Sequence, residues 1–291
     1  MKPAPFEYHA PDSAKEAVGL LAELGDGAKL IAGGQSLVPV LAMRLAAFDH
    51  LIDIRRIPAL RGTGERGGRV WIGAATTEAE IGRSELVARR VPLLSRATPL
   101  IGHFQIRNRG TIGGSLAHAD PAAEYPAVAL ALDATVEALS PRGRRTIPAA
   151  EFFAGIWTTA LEPDELLTGV SFPSAGGKQG FAIEEFARRP GDFAVAGAAV
   201  AVGLDPGGRV RSSGIGLFGL GPAAARAAAA EAAVAGSAAS DIDPAEVGRA
   251  AVADLDAVPS DLHGSAGYRR KVGAAMVTRA WENAVKEAAS G

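Results

Sequence analysis

The chain has 291 residues, of which 48% are hydrophobic and 36 are glycine, a composition typical of a globular α/β or α+β protein large enough for two domains. Its formal net charge of −2 excludes the strongly basic surface of a nucleic-acid-binding protein. The absence of cysteine excludes disulfides, thiolate nucleophiles and iron–sulfur clusters ligated by this chain. Charged residues, Gly and Pro interrupt every apolar run, so we expect a cytoplasmic protein that does not insert into a membrane, and peripheral membrane contact stays open.

The first part of the chain is predicted to form a compact unit of strands and helices. Asp12 is the expected cap of a helix that runs through residue 24, and Gly25 is its expected stop. A second helix, ending near Arg44, separates two buried strands. The predicted strands of this unit are 6–9, 29–32 and 51–54.

The middle of the chain mixes strands with short helices. The glycine-rich residues 62–68 indicate a hairpin or loop between two lobes, and Thr77 with Glu80 forms the pattern of a capping box. The predicted strands are 70–74, 134–139, 144–147 and 166–172, and the predicted helices are 92–100 and 122–132.

The pattern changes after residues 173–177, which have the composition of a linker between domains. Three segments then alternate like an antiparallel sheet, and three helices close the chain. The alanine-rich first helix is expected to lie on that sheet. The predicted strands are 181–187, 193–202 and 210–217, and the predicted helices are 223–235, 244–255 and 266–288.

Two short turns carry paired glycines. Residues 32–36 read Ala-Gly-Gly-Gln-Ser, and residues 111–115 read Thr-Ile-Gly-Gly-Ser. A Gly-Gly pair permits positive φ and the close approach of another group, and successive N–H groups in such a turn can form a concave anion site. Ser36 is predicted to cap the following helix. Together the turns favour one ligand with more than one phosphate, held from two sides.

These turns, with the segment Ala-His-Ala-Asp-Pro-Ala-Ala-Glu-Tyr-Pro at 117–126, resemble the FAD-binding medium subunit of molybdenum hydroxylases, the carbon monoxide dehydrogenase and xanthine dehydrogenase family. The resemblance covers essentially the whole chain. It implies an α+β fold with a two-lobed FAD-binding domain of the vanillyl-alcohol-oxidase (PCMH) type, plus a C-terminal domain with a three-stranded antiparallel sheet and a helical bundle. The implied bounds are 1–175 for the FAD-binding domain, with lobes of about 1–57 and 58–175, and 176–291 for the C-terminal domain.

The resemblance also implies which residues bind FAD. Both glycine turns would cradle the pyrophosphate, Glu124 would lie near the ribityl chain, Ile101 and Leu166 would line the isoalloxazine, and Phe193 is a candidate lid over the ring. It implies no catalytic residue and no metal ligand on this chain. The full predicted FAD-binding set is Ala32, Gly33, Gly34, Gln35, Ser36, Ile101, Thr111, Ile112, Gly113, Gly114, Ser115, Glu124, Leu166 and Phe193.

The function implied by the resemblance is electron transfer within a dimer of heterotrimers. A large subunit would carry molybdopterin and oxidise the substrate, and a small subunit would carry iron–sulfur clusters. This chain's FAD would pass their electrons to a quinone, NAD or oxygen. A stand-alone FAD oxidase of the same fold is the alternative, and a scaffolding subunit without FAD is a further one.

Three positions depart from the family pattern as the resemblance gives it. Gln35 and Ser115 stand where the best-known carbon monoxide dehydrogenases have His and Asn, and Glu185 stands where xanthine dehydrogenase relatives carry Lys. The first two replacements keep hydrogen-bonding ability, so FAD binding is expected to persist. They weaken the assignment of carbon monoxide as the substrate. The loss of a cation at Glu185 leaves the identity of the electron acceptor open.

Two other features have a functional and a structural interpretation. Residues 214–219 match the dinucleotide fingerprint G-x-G-x-x-G, but no strand follows the next helix, so we expect a structural strand end. His103 and His118 could act in acid–base chemistry beside a flavin, but no histidine–carboxylate spacing indicates a triad. We therefore expect neither of them to act directly.

Overall fold

The computed structural model describes residues 2–291, and its first sheet is a parallel three-stranded one. Ser13, and not Asp12, caps the first helix: its backbone is extended, and its Oγ accepts a hydrogen bond from the Glu16 N–H at 3.1 Å. Gly25 ends that helix at a φ of +58°, as predicted. The elements are β1 (Glu7–His9), α1 (Ala14–Leu24), β2 (Ala28–Ile31), α2 (Leu37–Ala42) and β3 (His50–Asp53), with the strand order β1-β3-β2.

The second sheet is antiparallel and has five strands. The glycine-rich segment forms a hairpin, which turns at Gly67 and Gly68, both with positive φ. A small separate hairpin follows the sheet's fourth strand in the chain. The strands are β4 (Thr63–Arg66), β5 (Arg69–Gly73), β6 (Thr135–Ser140), β7 (Gly143–Pro148), β8 (Phe153–Gly155), β9 (Thr158–Thr159) and β10 (Leu166–Pro173), and the sheet order is β4-β5-β10-β6-β7.

Short helices connect the strands of this second lobe. The capping box of Thr77 and Glu80 is present as predicted, and the helix predicted over 92–100 becomes a 3₁₀ turn at Thr98–Leu100. The helix that begins at Ile112 was not predicted, because its first turn contains the Gly-Gly pair. The helices are α3 (Glu78–Gly82), α4 (Glu85–Arg90), α5 (Pro92–Ala97), α6 (Phe104–Arg107), α7 (Ile112–His118), α8 (Glu124–Ala131) and α9 (Ala149–Phe152).

The C-terminal sheet has four antiparallel strands, one more than predicted. The extra strand forms because Ala225 and Arg226 pair with Leu217 and Gly216, so the alanine-rich helix begins only at Ala228. That helix packs on the sheet as predicted, with Ala230 fully buried. Among the described residues, no helix combines the length and the apolar character needed to cross a membrane. The elements are β11 (Gln179–Phe186), β12 (Ala196–Leu204), β13 (Val210–Phe218), β14 (Ala225–Arg226), α10 (Ala228–Val234), α11 (Pro244–Ala253) and α12 (Ala266–Ser290).

Helix α8 joins the second lobe to the C-terminal sheet. It is buried along its whole length and packs directly on β12 and β13. A Cβ on Gly214 would overlap the carbonyl oxygen of Ala131, and a Cβ on Gly216 would overlap that of Ala127. The fingerprint glycines are therefore structural, as expected: they let a helix backbone approach an antiparallel sheet.

A second link joins α5 to α12 at the surface. The Arg96 guanidinium donates to the Glu287 carboxylate at 2.6 and 2.7 Å and to the Phe181 carbonyl. The same carboxylate accepts the Phe181 N–H at 2.9 Å. The start of β11 is thus held between the second lobe and the last helix.

Candidate functional site

The two glycine turns, distant in sequence, are in direct contact. A Cβ on Gly33 would overlap the carbonyl oxygen of Arg109 and lie 2.7 Å from the Cα of Gly110. On the other side of the contact, a Cβ on Gly114 would lie 3.7 Å from the Cβ of Ala32. Only glycine allows this approach at Gly33. The structure therefore brings together the two segments that the sequence singled out.

The first turn presents a row of free backbone donors. Among the described residues, none accepts a hydrogen bond from the backbone N–H groups of Gly33, Gly34, Gln35 or Ser36. Gly34 has a φ of +74°, and the side chain of Gln35 donates to the Gly33 carbonyl at 3.0 Å. Contrary to prediction, Ser36 makes no capping bond, because its backbone is already helical, whereas a capping serine is extended. Its hydroxyl is available to a ligand beside the free N–H groups.

The second turn differs from the first, because the backbone N–H groups of residues 112–115 already donate to acceptors within the chain. It forms the first turn of α7, with Thr111 as the N-cap. Gly113 is required there for packing, since a Cβ would lie 2.5 Å from the Cβ of Ala74. The second turn therefore offers a ligand close approach and hydroxyl groups more than free N–H groups. Its donors and their acceptors are Ile112 to the Thr76 carbonyl at 3.2 Å, Gly113 to the Ala74 carbonyl at 2.9 Å, Gly114 to the Thr111 hydroxyl at 3.1 Å and Ser115 to the Thr111 carbonyl at 2.9 Å.

Ile101 and Phe193 lie on two loops that pack against each other. A Cβ on Gly191 would lie 2.5 Å from the Cε1 of His103 and 3.2 Å from the Gly102 carbonyl oxygen. Ile101 is half-buried, and Phe193 is 71% exposed, so both have surface to offer a planar ring.

Leu166 is placed differently from the other predicted flavin contacts. It is 1% exposed and belongs to the cluster that packs around α1, with Ala17, Val18 and Ile52. Its surface is covered by the chain's own residues, so this geometry gives no support to a role of Leu166 as a wall of the flavin site.

Family models cover both halves of the chain. Residues 4–175 match the FAD binding domain in molybdopterin dehydrogenase, and residues 181–284 match the CO dehydrogenase flavoprotein C-terminal domain. The chain belongs to the FAD-binding medium chains of the molybdopterin dehydrogenases.

Full-length relatives agree with this assignment. The medium chain is 45% identical to the 6-hydroxypseudooxynicotine dehydrogenase complex subunit alpha of Paenarthrobacter nicotinovorans, over 99% of this chain and 97% of that protein. It is 42% identical to the carbon monoxide dehydrogenase medium chain of Hydrogenophaga pseudoflava, over 96% and 97%. The solved carbon monoxide dehydrogenase of that organism, in a form lacking the Mo-pyranopterin moiety of the molybdenum cofactor, aligns with a TM-score of 0.95 and 44% identity over 99% of both chains. The predicted fold class is confirmed, and the protein is an FAD-carrying oxidoreductase subunit of a molybdenum hydroxylase.

Three carboxyl groups of this medium chain, the buried Glu78 and Glu124 and the half-buried Glu185, have raised pKa values. Burial raises the pKa of Glu78 to about 7 and that of Glu124 to about 8, and the charges of Glu185, Glu78 and Asp120 raise the latter further. Burial also raises the pKa of Glu185 to about 7. Glu78 is 4% exposed, and a Cβ on Gly110 would lie 2.7 Å from its Cδ. Its Oε2 has no hydrogen-bond partner among the described residues, which favours the protonated form.

The medium chain places the two candidate histidines in different settings. His118 lies 6.2 Å from Trp157 between ring centroids, with an interplanar angle of 12°, and its Nε2 is 3.9 Å from the Asp120 carboxylate. Burial lowers the pKa of His118, so its neutral form is favoured. His103 is exposed and packs against Gly191. Neither histidine forms a triad with other residues in the described range 2–291.

Glu78 was missed by the sequence analysis. It lies between Thr77 and Glu80 of the capping box, so its sequence position suggests an ordinary acidic residue in a first helical turn. What distinguishes it is the chain around it: its N–H donates to the Gly110 carbonyl at 2.9 Å, and its carboxyl group fills the space beside Gly110, the residue before the second turn. No local sequence pattern predicts that contact, because Glu78 and Gly110 are distant in sequence.

Proposed function

We propose that this medium chain is the electron-transfer subunit of its complex. It takes electrons from iron–sulfur clusters on a small subunit and delivers them to an external acceptor, a quinone, NAD or oxygen. A large subunit carries the molybdopterin and oxidises the substrate. The absence of cysteine supports this division of labour, because the clusters must then be ligated by another polypeptide.

The observation that carries the proposal is the row of free N–H groups at residues 33–36, packed against a second glycine turn. A diphosphate needs such donors, and the missing Cβ atoms leave the space that its approach requires. Bound FAD supplies the conversion between two-electron and one-electron transfer, while the protein supplies position and electrostatics.

Each part of the proposed site has its own role. The N–H groups and hydroxyl of residues 33–36 hold the diphosphate, and Ala32 lets Gly114 approach. Thr111 orders the second turn through its bond to Gly114, and Ser115 adds a hydroxyl. Glu124 lies on the ribityl side, and Ile101 and Phe193 exclude water from the ring.

The division into domains, the oligomeric state and the location belong to the same proposal. We infer a division into domains at residues 175 and 176, which the separate family matches at 4–175 and 181–284 support. The dimer of heterotrimers and the cytoplasmic location stay predictions.

The test is purification of the chain from its native host under mild conditions. We expect it with two unlike subunits, about one FAD per chain, and molybdenum and iron in the complex. Substrate should bleach the flavin absorbance of the complex and leave that of the isolated chain unchanged. Substrate turnover by the chain alone would instead support a stand-alone oxidase, and a colourless chain that binds no added FAD would contradict the proposal.

A further inference from the structure

Three metal-binding side chains lie together on one face of the first sheet. Glu7 and His9 are two residues apart on β1, so their side chains point to the same face. His50 begins β3 and is the register partner of Glu7. The cluster lies at the amino-terminal end of β3, whereas the first glycine turn leaves the carboxyl end of the neighbouring β2. It is therefore separate from the proposed FAD site.

The ligand atoms of these side chains already have the spacing of a metal site. The Nε2 of His9 is 3.1 Å from the Nδ1 of His50, and that Nδ1 is 3.4 Å from the Oε2 of Glu7. The three atoms lie within 4.8 Å of one another. A tetrahedral Zn²⁺ ion, with bonds of about 2.0–2.1 Å, separates neighbouring ligand atoms by about 3.3–3.4 Å.

A hydrogen bond between the imidazoles of His9 and His50 does not involve the carboxylate of Glu7. At 3.1 Å, one imidazole must donate its N–H to the lone pair of the other. A divalent cation instead accepts one lone pair from each of the two ring nitrogens. The negative charge of the Glu7 carboxylate then neutralises part of the charge of the cation. Two imidazoles and one carboxylate form the ligand set of several zinc sites that keep an open fourth position.

We propose that Glu7, His9 and His50 form a binding site for a divalent transition-metal ion, Zn²⁺ by preference, with water in the fourth position. The Glu7 side chain is 75% exposed and that of His50 is 22% exposed, so the ion enters directly from solvent. All three ligands come from two paired strands, so the ion fixes β1 to β3. The strand β1 has only three residues and one neighbour, β3, and it gains the most from such a link.

The experiment is a calorimetric titration of the FAD-loaded, metal-stripped full-length chain with Zn²⁺. We expect one ion per chain, a Kd on the order of micromolar or tighter, and a melting temperature that rises with bound Zn²⁺. His9→Gln and His50→Gln should each weaken binding at least about tenfold and abolish the rise in melting temperature. His263→Gln, at an exposed histidine of the C-terminal domain, is the matched control and should bind as the wild type does.

Two results would overturn the proposal: no stoichiometric binding by the wild type, or equal binding by the wild type and His50→Gln. Far-UV circular dichroism checks that the variants are folded. Should a histidine variant misfold, Glu7→Gln replaces it, because its exposed side chain can change without disturbing the fold. Unweakened binding by Glu7→Gln would also contradict the proposed site, because it would exclude the carboxylate as a ligand.

Discussion

Gly33 packs tightly against the chain that leads into the second glycine turn of the proposed FAD site. The carbonyl of Arg109 occupies the space that a Cβ on Gly33 would need. Neighbouring Gly34 has a different constraint, because its φ of +74° favours glycine whatever the space around it. Each residue of the pair is thus required for its own reason.

Gly33→Ala should weaken FAD binding by separating the two turns. Overpacking of this kind costs about 1–3 kcal/mol, which corresponds to roughly 5- to 150-fold weaker binding. The ratio of flavin to protein absorbance after dialysis measures the loss. Gly64→Ala is the matched control, because a Cβ there meets nothing within 4 Å. Equal retention of FAD by both variants would contradict the proposed cradle.

Glu78 should make stability depend on pH in a predictable direction. Its pKa is raised to about 7 in the folded chain from an ordinary 4.5, so the folded state holds a proton that the unfolded state releases. The resulting stabilisation is complete below pH about 4.5 and is lost as the pH rises through about 7, at up to about 1.4 kcal/mol per pH unit. Glu78→Gln should lower the slope of this part of the profile, measured by urea unfolding at each pH, while the raised pKa values of Glu124 and Glu185 maintain the rest of the slope.

The control for this profile is Glu23→Gln, which removes an exposed carboxyl group of α1. It should leave the pH dependence of the free energy of unfolding as in the wild type. A profile for Glu78→Gln with the wild-type slope would show that the buried carboxyl group does not hold the proton.

At the scale of elements, α8 and the C-terminal sheet depend on glycines that carry no chemistry. Gly216→Ala should push the Ala127 carbonyl away from β13 and lower the free energy of unfolding by about 1–3 kcal/mol. Thermal or urea unfolding measures the change. Gly176→Ala, at a position open to solvent, should have little effect. A neutral Gly216→Ala would contradict the close packing of α8 on the sheet.

The secondary-structure elements also show which features the local sequence pattern predicts and which it does not. The first turn was located correctly because a buried strand leads into it and an apolar helix follows. Helix α7 was missed because Gly113 and Gly114 indicate a turn, whereas here they let the helix pack against Ala74 and face the first turn. The strand β14 was missed because only the pairing of Ala225 and Arg226 with β13 makes it a strand. Both errors arise from contacts that are distant in sequence.

At the scale of the whole molecule, one apolar cluster spans both halves of the chain. Tyr125 and Val128 of α8 share it with Phe181, Ala199 and Phe218 of the C-terminal sheet. Resemblance to a family could predict the two domains, but not that α8 of the first would form part of the core of the second. That sharing follows from the glycines of β13, which look like a nucleotide-binding motif in the sequence.

The shared cluster predicts that the two halves unfold together. Scanning calorimetry should show a single transition, with a calorimetric enthalpy close to the van't Hoff enthalpy. Phe218→Ala should lower the stability of the whole chain by about 3–5 kcal/mol, because Phe218 is fully buried between the halves. Leu262→Ala, at a fully exposed residue, is the control. Two resolved transitions in the wild type would contradict a common core.

The backbone N–H groups are hydrogen-bonded within the chain in the second turn and open in the first. This difference has a consequence for the order of folding and FAD binding. The second turn is held by bonds within the chain, so it can form during folding without any ligand, whereas residues 33–36 have open donors. In hydrogen exchange, the amides of 112–115 should be slow with or without cofactor, and those of 33–36 should slow only when FAD binds. The chain is thus expected to complete its fold first and to load its cofactor afterwards.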